Sequence, residues 1–258
     1  MSKPDVVPDK LKNPISYAVI GIILAAGVGI YITLNLISED DAGSMVFGLS
    51  VGIASAVAIS SFIIAKRYWG TTIFGRSYLS LGLGFLSYAI AEVLYYTFDL
   101  ILGIEPYPSI ADVFFFLLYP FALGHLLLNI KFFNTKVSSI QKIWLAAIPI
   151  SFIVIYSFMS FLELDEPNFD YYYGIIFIAG ASTTLGFAIL GAKIFQQGAI
   201  GVAWLLLVIG ILINAIGDVW YYHLEIFGEY FDAHPVTVIW YVSNLLMIYA
   251  LYKHQKVL

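Results

Sequence analysis

The chain of 258 residues is 61% hydrophobic and 11% charged, with a mean hydropathy of +0.90. A soluble domain carries about 25% charged residues, so this chain cannot cover a water-facing surface and is expected to live in a lipid bilayer. The net charge of −5 gives no basis for nucleic-acid binding, and the absence of cysteine excludes disulfides, thiolate metal sites, Fe–S clusters and palmitoylation.

Apolar stretches near 16–37, 43–66, 75–100, 109–131, 140–162, 170–195, 199–226 and 235–252 each approach or exceed the roughly 20 residues a span needs. Residues 1–13 are polar, and the first apolar stretch is longer than a signal-peptide core and lacks a small-residue cleavage site, so no cleavable leader is expected. No loop is long enough for a soluble domain. Lys3, Lys10, Lys12, Lys66, Arg67, Arg76, Lys131, Lys136, Lys142, Lys193, Lys253 and Lys256 all fall at the N-terminus, the even-numbered turns and the C-terminus. The intervening turns carry only acids, from Glu39, Asp40 and Asp41 through Asp99 and Glu105 to Glu225, Glu229 and Asp232. Cationic loops stay cytoplasmic, so both termini are expected inside and the acidic turns outside, in a multi-pass protein of the cell membrane.

An internal repeat lies at an offset of 126 residues, where Tyr78–Tyr96 matches Trp204–Tyr222 at nine of nineteen positions. Gly84 lies over Gly210, Glu92 over Asp218, and Tyr95-Tyr96 over Tyr221-Tyr222. The expected architecture is therefore all-α, with eight transmembrane helices arranged as two parallel four-helix repeats, 14–133 and 134–252. Cytoplasmic tails are expected at 1–13 and 253–258. An even number of spans per unit makes the copies parallel, related by an axis along the membrane normal.

An acid inside a span costs about 2.5–3.5 kcal/mol on insertion scales and usually faces the bundle interior. Glu92 and Asp218 each precede an outer-turn acid by seven residues, roughly 10 Å along a helix. Helical spacing puts Tyr88, Glu92, Tyr95, Tyr96 and Asp99 on one stripe, and Asn214, Asp218, Tyr221, Tyr222 and Glu225 on another. These stripes predict an outward-opening polar cavity with Glu92, Asp218, Tyr88, Tyr96, Asn214 and Tyr222 as ligand-binding residues. A carboxylate pair there can bind a cation, relay protons or act as acid and base. The alternative is that each acid locks helices together by hydrogen bonds. Asp112, in Ser109-Ile-Ala-Asp112 after Pro108, reads as a helix-capping box that can also reach the site.

His223 and His234 lie near the outer acids Glu225 and Asp232, but no tight ligand spacing joins them, so no metal is expected. His125 is expected to bond a neighbouring helix near the cytoplasmic face, and His254 to lie in the tail. Tyr171-Tyr172-Tyr173, Tyr68-Trp69, Tyr230 and Tyr252 sit at span ends and read as aromatic belts. Every lysine lies at a boundary, so a retinal Schiff base is excluded and no cofactor is expected.

Glu92-Val-Leu-Tyr-Tyr, Gly103-Ile-Glu-Pro106-Tyr-Pro108-Ser109-Ile-Ala-Asp112-Val-Phe and Tyr119-Pro120 together resemble the multi-span sensor modules that precede PAS, GGDEF or histidine-kinase domains. That resemblance implies a ligand-binding or sensory module. Only Lys253–Leu258 follows the last span, so the output is expected in a cytoplasmic or membrane signalling partner. Gly210-Ile-Leu-Ile-Asn-Ala-Ile-Gly217-Asp218 and Leu123-Gly124-His125 are similar to eight-span lysoplasmalogenase-like hydrolases. The implied alternative is acid-catalysed hydrolysis of a vinyl ether lipid, with Glu92 and Asp218 as the catalytic carboxylates. A small-solute or ion transporter is the third reading, favoured by the repeat.

Overall fold

The computed structural model describes residues 15–133, 136–163, 167–195, 201–227 and 230–257. It contains eight α-helices: α1 Tyr17–Leu34, α2 Glu39–Arg67, α3 Phe74–Tyr96, α4 Ile110–Phe133, α5 Ser139–Glu163, α6 Phe169–Phe195, α7 Gly201–Phe227 and α8 Pro235–Val257. Each is long and apolar enough to cross a membrane. A short π-helical turn, Thr97–Ile101, extends α3 at its acidic end.

Polar caps start α2, α4, α5 and α8 where their apolar runs begin. Ser38 Oγ accepts the Asp41 amide, and Glu39, Asp40 and Asp41 fill the first turn of α2 while Lys66 and Arg67 close its last. That arrangement opposes both ends of the helix dipole with the complementary charge. At α4 the capping box forms: Ser109 Oγ accepts the Ala111 amide at 3.1 Å, and Asp112 Oδ2 accepts the Ser109 amide at 2.6 Å. Ser138 and Gln141 make the equivalent reciprocal pair at α5, with bonds of 2.8 and 3.3 Å. His234 Nδ1 accepts the Val236 amide at 3.2 Å ahead of Pro235, the first residue of α8.

Six helices close a ring in which α2 packs on α3, α3 on α4, α4 on α6, α6 on α7, α7 on α8, and α8 back on α2. The other two stand outside it. Helix α1 packs against α8, and α5 lies on α6 with a smaller contact to α7. Only 11% of the most apolar window of α1 and of α5 is buried, against 61% in α7 and α8, so the outer pair presents its apolar side chains to lipid.

Two glycines mark close approaches between neighbouring helices of the ring. A Cβ on Gly84 of α3 would meet Phe121 Cβ of α4 at 3.0 Å, and a Cβ on Gly210 of α7 would meet Met247 of α8. Positions 84 and 210, like 121 and 247, are separated by 126 residues, so one contact in each helix pair falls at matching positions.

The end carrying the lysines and arginines is packed shut. A large apolar cluster around Tyr78, Leu81, Leu126, Trp204, Leu207 and Leu251 fills it. Within it, Ser77 Oγ bonds His125 Nδ1 at 2.8 Å, Asn129 Nδ2 donates to Ser77 Oγ at 2.5 Å, and Trp204 Nε1 donates to Asn129 Oδ1 at 3.3 Å. The His125 bond joins α3 to α4, as its position in the sequence implied.

One boundary differs from expectation. Helix α8 continues to Val257, so 253–257 extend the last helix and are not a separate tail. Lys253 and His254 are only 5% and 1% exposed. The His254 ring stacks on Trp204 at 4.4 Å and its Nδ1 meets the Tyr78 hydroxyl at 2.5 Å, while Arg67 donates to the carbonyl of Gln255. Aromatic and hydrogen-bonding partners thus replace water for side chains whose polarity alone reads as solvent-exposed.

Candidate functional site

At the opposite, acidic end the ring encloses a cavity of about 460 Å³. Every helix except α1 contributes to its wall, together with the α3–α4, α5–α6 and α7–α8 loops. Glu92 and Asp218 both line it, each only 7% exposed, together with Tyr88, Tyr96, Tyr222 and Asp112. Asn214 does not. It is buried on α7 and its Nδ2 donates to Ser243 Oγ of α8 at 3.4 Å, so this amide serves helix packing and stands outside the cavity wall.

The wall is strongly acidic and aromatic. Seven carboxylates line it (Glu92, Glu105, Asp112, Asp170, Asp218, Glu225 and Asp232), along with eleven tyrosines, and no lysine or arginine is among the lining residues described. Six of the seven carboxylates have a tyrosine hydroxyl beside them. Two of these pairs lie within one helix: Tyr88 and Glu92 on α3, and Tyr221 and Glu225 on α7. The spacing of four places both partners on one helix face. The other four pairs join the first half of the chain to the second. Tyr119 of α4 lies beside Asp218, to which Trp240 of α8 donates at 2.9 Å. Tyr96 donates to Asp232 at 3.2 Å, Tyr107 donates to Asp170 at 2.8 Å, and Tyr173 lies beside Asp112.

Outside the spans, burial raises the Asp232 carboxyl above its ordinary range, with the Asp99 charge adding to the effect and the Tyr96 bond opposing it. Burial likewise raises the Tyr107 phenol, and the bond to Asp170 adds to that shift.

Several wall residues gave no signal in the sequence. Trp240 and Tyr119 stand among other aromatics in apolar helices, and the acid they meet, Asp218, lies on a third helix. Tyr171, Tyr173 and Tyr230, read above as belt residues, line the cavity, whereas Tyr172 between them is 59% exposed and suits a belt. Tyr68, also assigned to a belt, is 8% exposed and packs on Phe74 and Tyr78, while its neighbour Trp69 is 67% exposed.

The two histidines weighed for metal take different places. His234 caps α8 and packs edge-on against Trp220 with ring centres 5.6 Å apart, and His223 lines a separate apolar groove. Among the described residues no group of three or more His, Asp or Glu side chains gathers in a metal-holding arrangement. No family model, curated protein or solved structure matches this chain.

Proposed function

We propose that this protein is a membrane-embedded ligand-binding or sensory module whose cavity opens to the outside of the cell membrane and whose termini are cytoplasmic. The observation that carries the reading is the single cavity lined by both intramembrane acids and closed at the opposite end by the His125–Asn129–Trp204 network. A cup of this shape suits a bound ligand better than a continuous pore. Intramembrane carboxylates are expensive and default to functional sites. Orientation rests on the lysine and arginine distribution, which puts the acidic mouth outside. The matching Gly84–Phe121 and Gly210–Met247 contacts, and the paired α2–α8 and α4–α6 packing, support two parallel four-helix repeats. The repeats break down at α1 and α5, which dock differently.

Orientation has an all-or-none test. Single cysteines replacing Asp41 and Glu105 should label with a membrane-impermeant maleimide only from outside, and those replacing Lys136 and Lys193 only from the cytoplasm. One reversed site overturns the map.

Ligand binding is tested with purified protein in nanodiscs, screened against small organic cations, anions and neutral solutes by thermal unfolding. A ligand at 100 times its Kd stabilises by about 2.7 kcal/mol. At least one class should raise the midpoint of the parent, and Glu92→Gln and Asp218→Asn should lose about 10- to 100-fold in affinity while folding normally. Those substitutions keep size but remove charge-assisted contacts of about 1.5–3 kcal/mol. Retention of binding by both variants would remove the acids from the site. The lipid-hydrolase reading uses the same carboxylates and predicts, in addition, turnover of a vinyl ether lipid that both variants lack.

A further inference from the structure

We infer that the cavity takes an organic cation, an amine or quaternary ammonium group, whose hydrocarbon chain leaves sideways into an apolar groove between α5 and α7. The inference rests on the ligand-binding reading of the cavity and names the chemistry of its occupant.

The cavity wall selects the head group. Seven carboxylates and no described lysine or arginine give a field that attracts cations and repels anions. The walls between the carboxylates are ring faces and edges: Tyr88 meets Phe115 edge-on at 5.4 Å, and Tyr222 meets Phe177 at 5.2 Å. Aromatic surfaces arranged around acids suit a diffuse organic cation, whose apolar shell packs on rings while its charge is attracted to their faces. A small metal ion finds no such match, because it needs several oxygens at short range, and among the described residues no three acidic or histidine side chains gather to supply them. The lack of a described basic side chain on the wall also leaves nothing to hold a phosphate, which sets the proposed ligand apart from a phospholipid or lysophospholipid head.

A second space suits the hydrocarbon tail. A groove of about 330 Å³ runs along the outer flank of α5, α6 and α7, where Phe152, Met159, Ile178 and Ile216 are among its walls. Ile155 and Ile216 on this flank are 53% and 43% exposed, so the groove faces lipid. It meets the polar cavity at two shared side chains, Tyr156 and Ile226. Tyr156 can occupy that position because Gly174 of α6 has no side chain: a Cβ there would collide with the Tyr156 hydroxyl. The Tyr156 ring lies parallel to Tyr171, with ring centres 6.4 Å apart, forming one jamb of the passage. An amphiphile using this passage keeps its chain among apolar side chains and acyl tails while its head moves from the membrane surface into the acidic cup.

The test uses full-length protein in nanodiscs, with binding read from tryptophan fluorescence and thermal midpoint. The probes are tetramethylammonium, decyltrimethylammonium, decyl sulfate and decylphosphocholine. Decyltrimethylammonium should bind at least about 10-fold more tightly than either decyl sulfate or decylphosphocholine, and Glu92→Gln/Asp218→Asn should remove that preference. Met159→Trp, which fills the groove and is not on the cavity wall, should erase the advantage of decyltrimethylammonium over tetramethylammonium and leave tetramethylammonium binding intact.

Each contrary result has its own meaning. Equal or tighter binding of decyl sulfate or decylphosphocholine, lost in the acid variants, overturns the cation inference while the cavity remains a binding site. An unchanged chain-length advantage in Met159→Trp overturns the groove. Failure of every probe to respond to the acid variants overturns the inference together with the ligand-binding reading beneath it.

Discussion

Replacing Trp240 and Tyr119 with phenylalanine in the same chain should destabilise the folded protein by about 3–5 kcal/mol, the range for uncompensating a buried charge. Trp240 donates to Asp218 and the Tyr119 hydroxyl lies beside it, and phenylalanine keeps most of each ring while deleting the polar group. Each single variant should cost about 1.5–3 kcal/mol, the range for a hydrogen bond to a charged group. Trp240 carries a second constraint, because a Cβ on Gly217 would lie 2.7 Å from its Nε1, so the indole rests directly on the α7 backbone. Part of the Trp240→Phe effect is therefore lost packing. Adding Asp218→Asn to the double variant separates the terms: it removes the stranded charge and should restore most of the loss that is electrostatic. Denaturant or thermal unfolding in one lipid environment gives the three comparisons. If the double variant matches the parent, Asp218 is not held by these partners and the geometry around it is wrong.

The same pairs bear on what the acids are for. Four of the six acid–tyrosine pairs join the first half of the chain to the second, so they also stitch the bundle around its cavity. A scaffold role and a binding role are compatible. A carboxylate has about four lone-pair sites, and one or two donors leave acceptor capacity facing the cavity. The cavity itself argues against a purely structural role, since side chains meant only to lock helices gain nothing by surrounding open space.

The span pattern was legible because lipid offers the backbone no hydrogen bonds, forcing helices wherever the chain is apolar over a membrane thickness. Most helix ends fall within a few residues of the apolar boundaries, and the Ser109–Asp112 cap is readable from four letters. The α8 end was misplaced because Lys253 and His254 are polar by type yet buried by aromatic partners from α3 and α7. On α3 the stripe Tyr88–Glu92–Tyr95–Tyr96 faces the cavity as helical spacing dictates. The parallel stripe on α7 fails at Asn214, one turn before Asp218, where the short amide is within reach of Ser243 on α8. Periodicity gives a face but not which neighbour that face meets. For the same reason Trp240 and Tyr119 could not be found: a bond between helices far apart in sequence has no local signature.

Alanine at Gly210 should destabilise the protein by about 1–3 kcal/mol, the usual cost of forcing extra volume into a packed contact, and alanine at Gly84 should do the same. At Gly210 the new methyl would press on Met247 and lie 3.1 Å from the Ser243 carbonyl, a backbone atom that cannot rotate away. At Gly84 it would lie 3.0 Å from Phe121 Cβ and 3.4 Å from the Leu118 carbonyl. Met247 is flexible and can yield, whereas the Cβ of Phe121 is fixed to the backbone of α4, so the two costs should be similar despite different neighbours. Gly52→Ala is the control. Nothing lies within 4 Å of a Cβ there, so only the gain in helix propensity remains, up to about 1 kcal/mol of stabilisation. Matched losses at 84 and 210 beside a neutral or stabilising change at 52 would show that α3–α4 and α7–α8 are the same tight helix pair used twice. A loss at only one of them would mean that the 126-residue correspondence is a likeness of letters without a shared mode of packing.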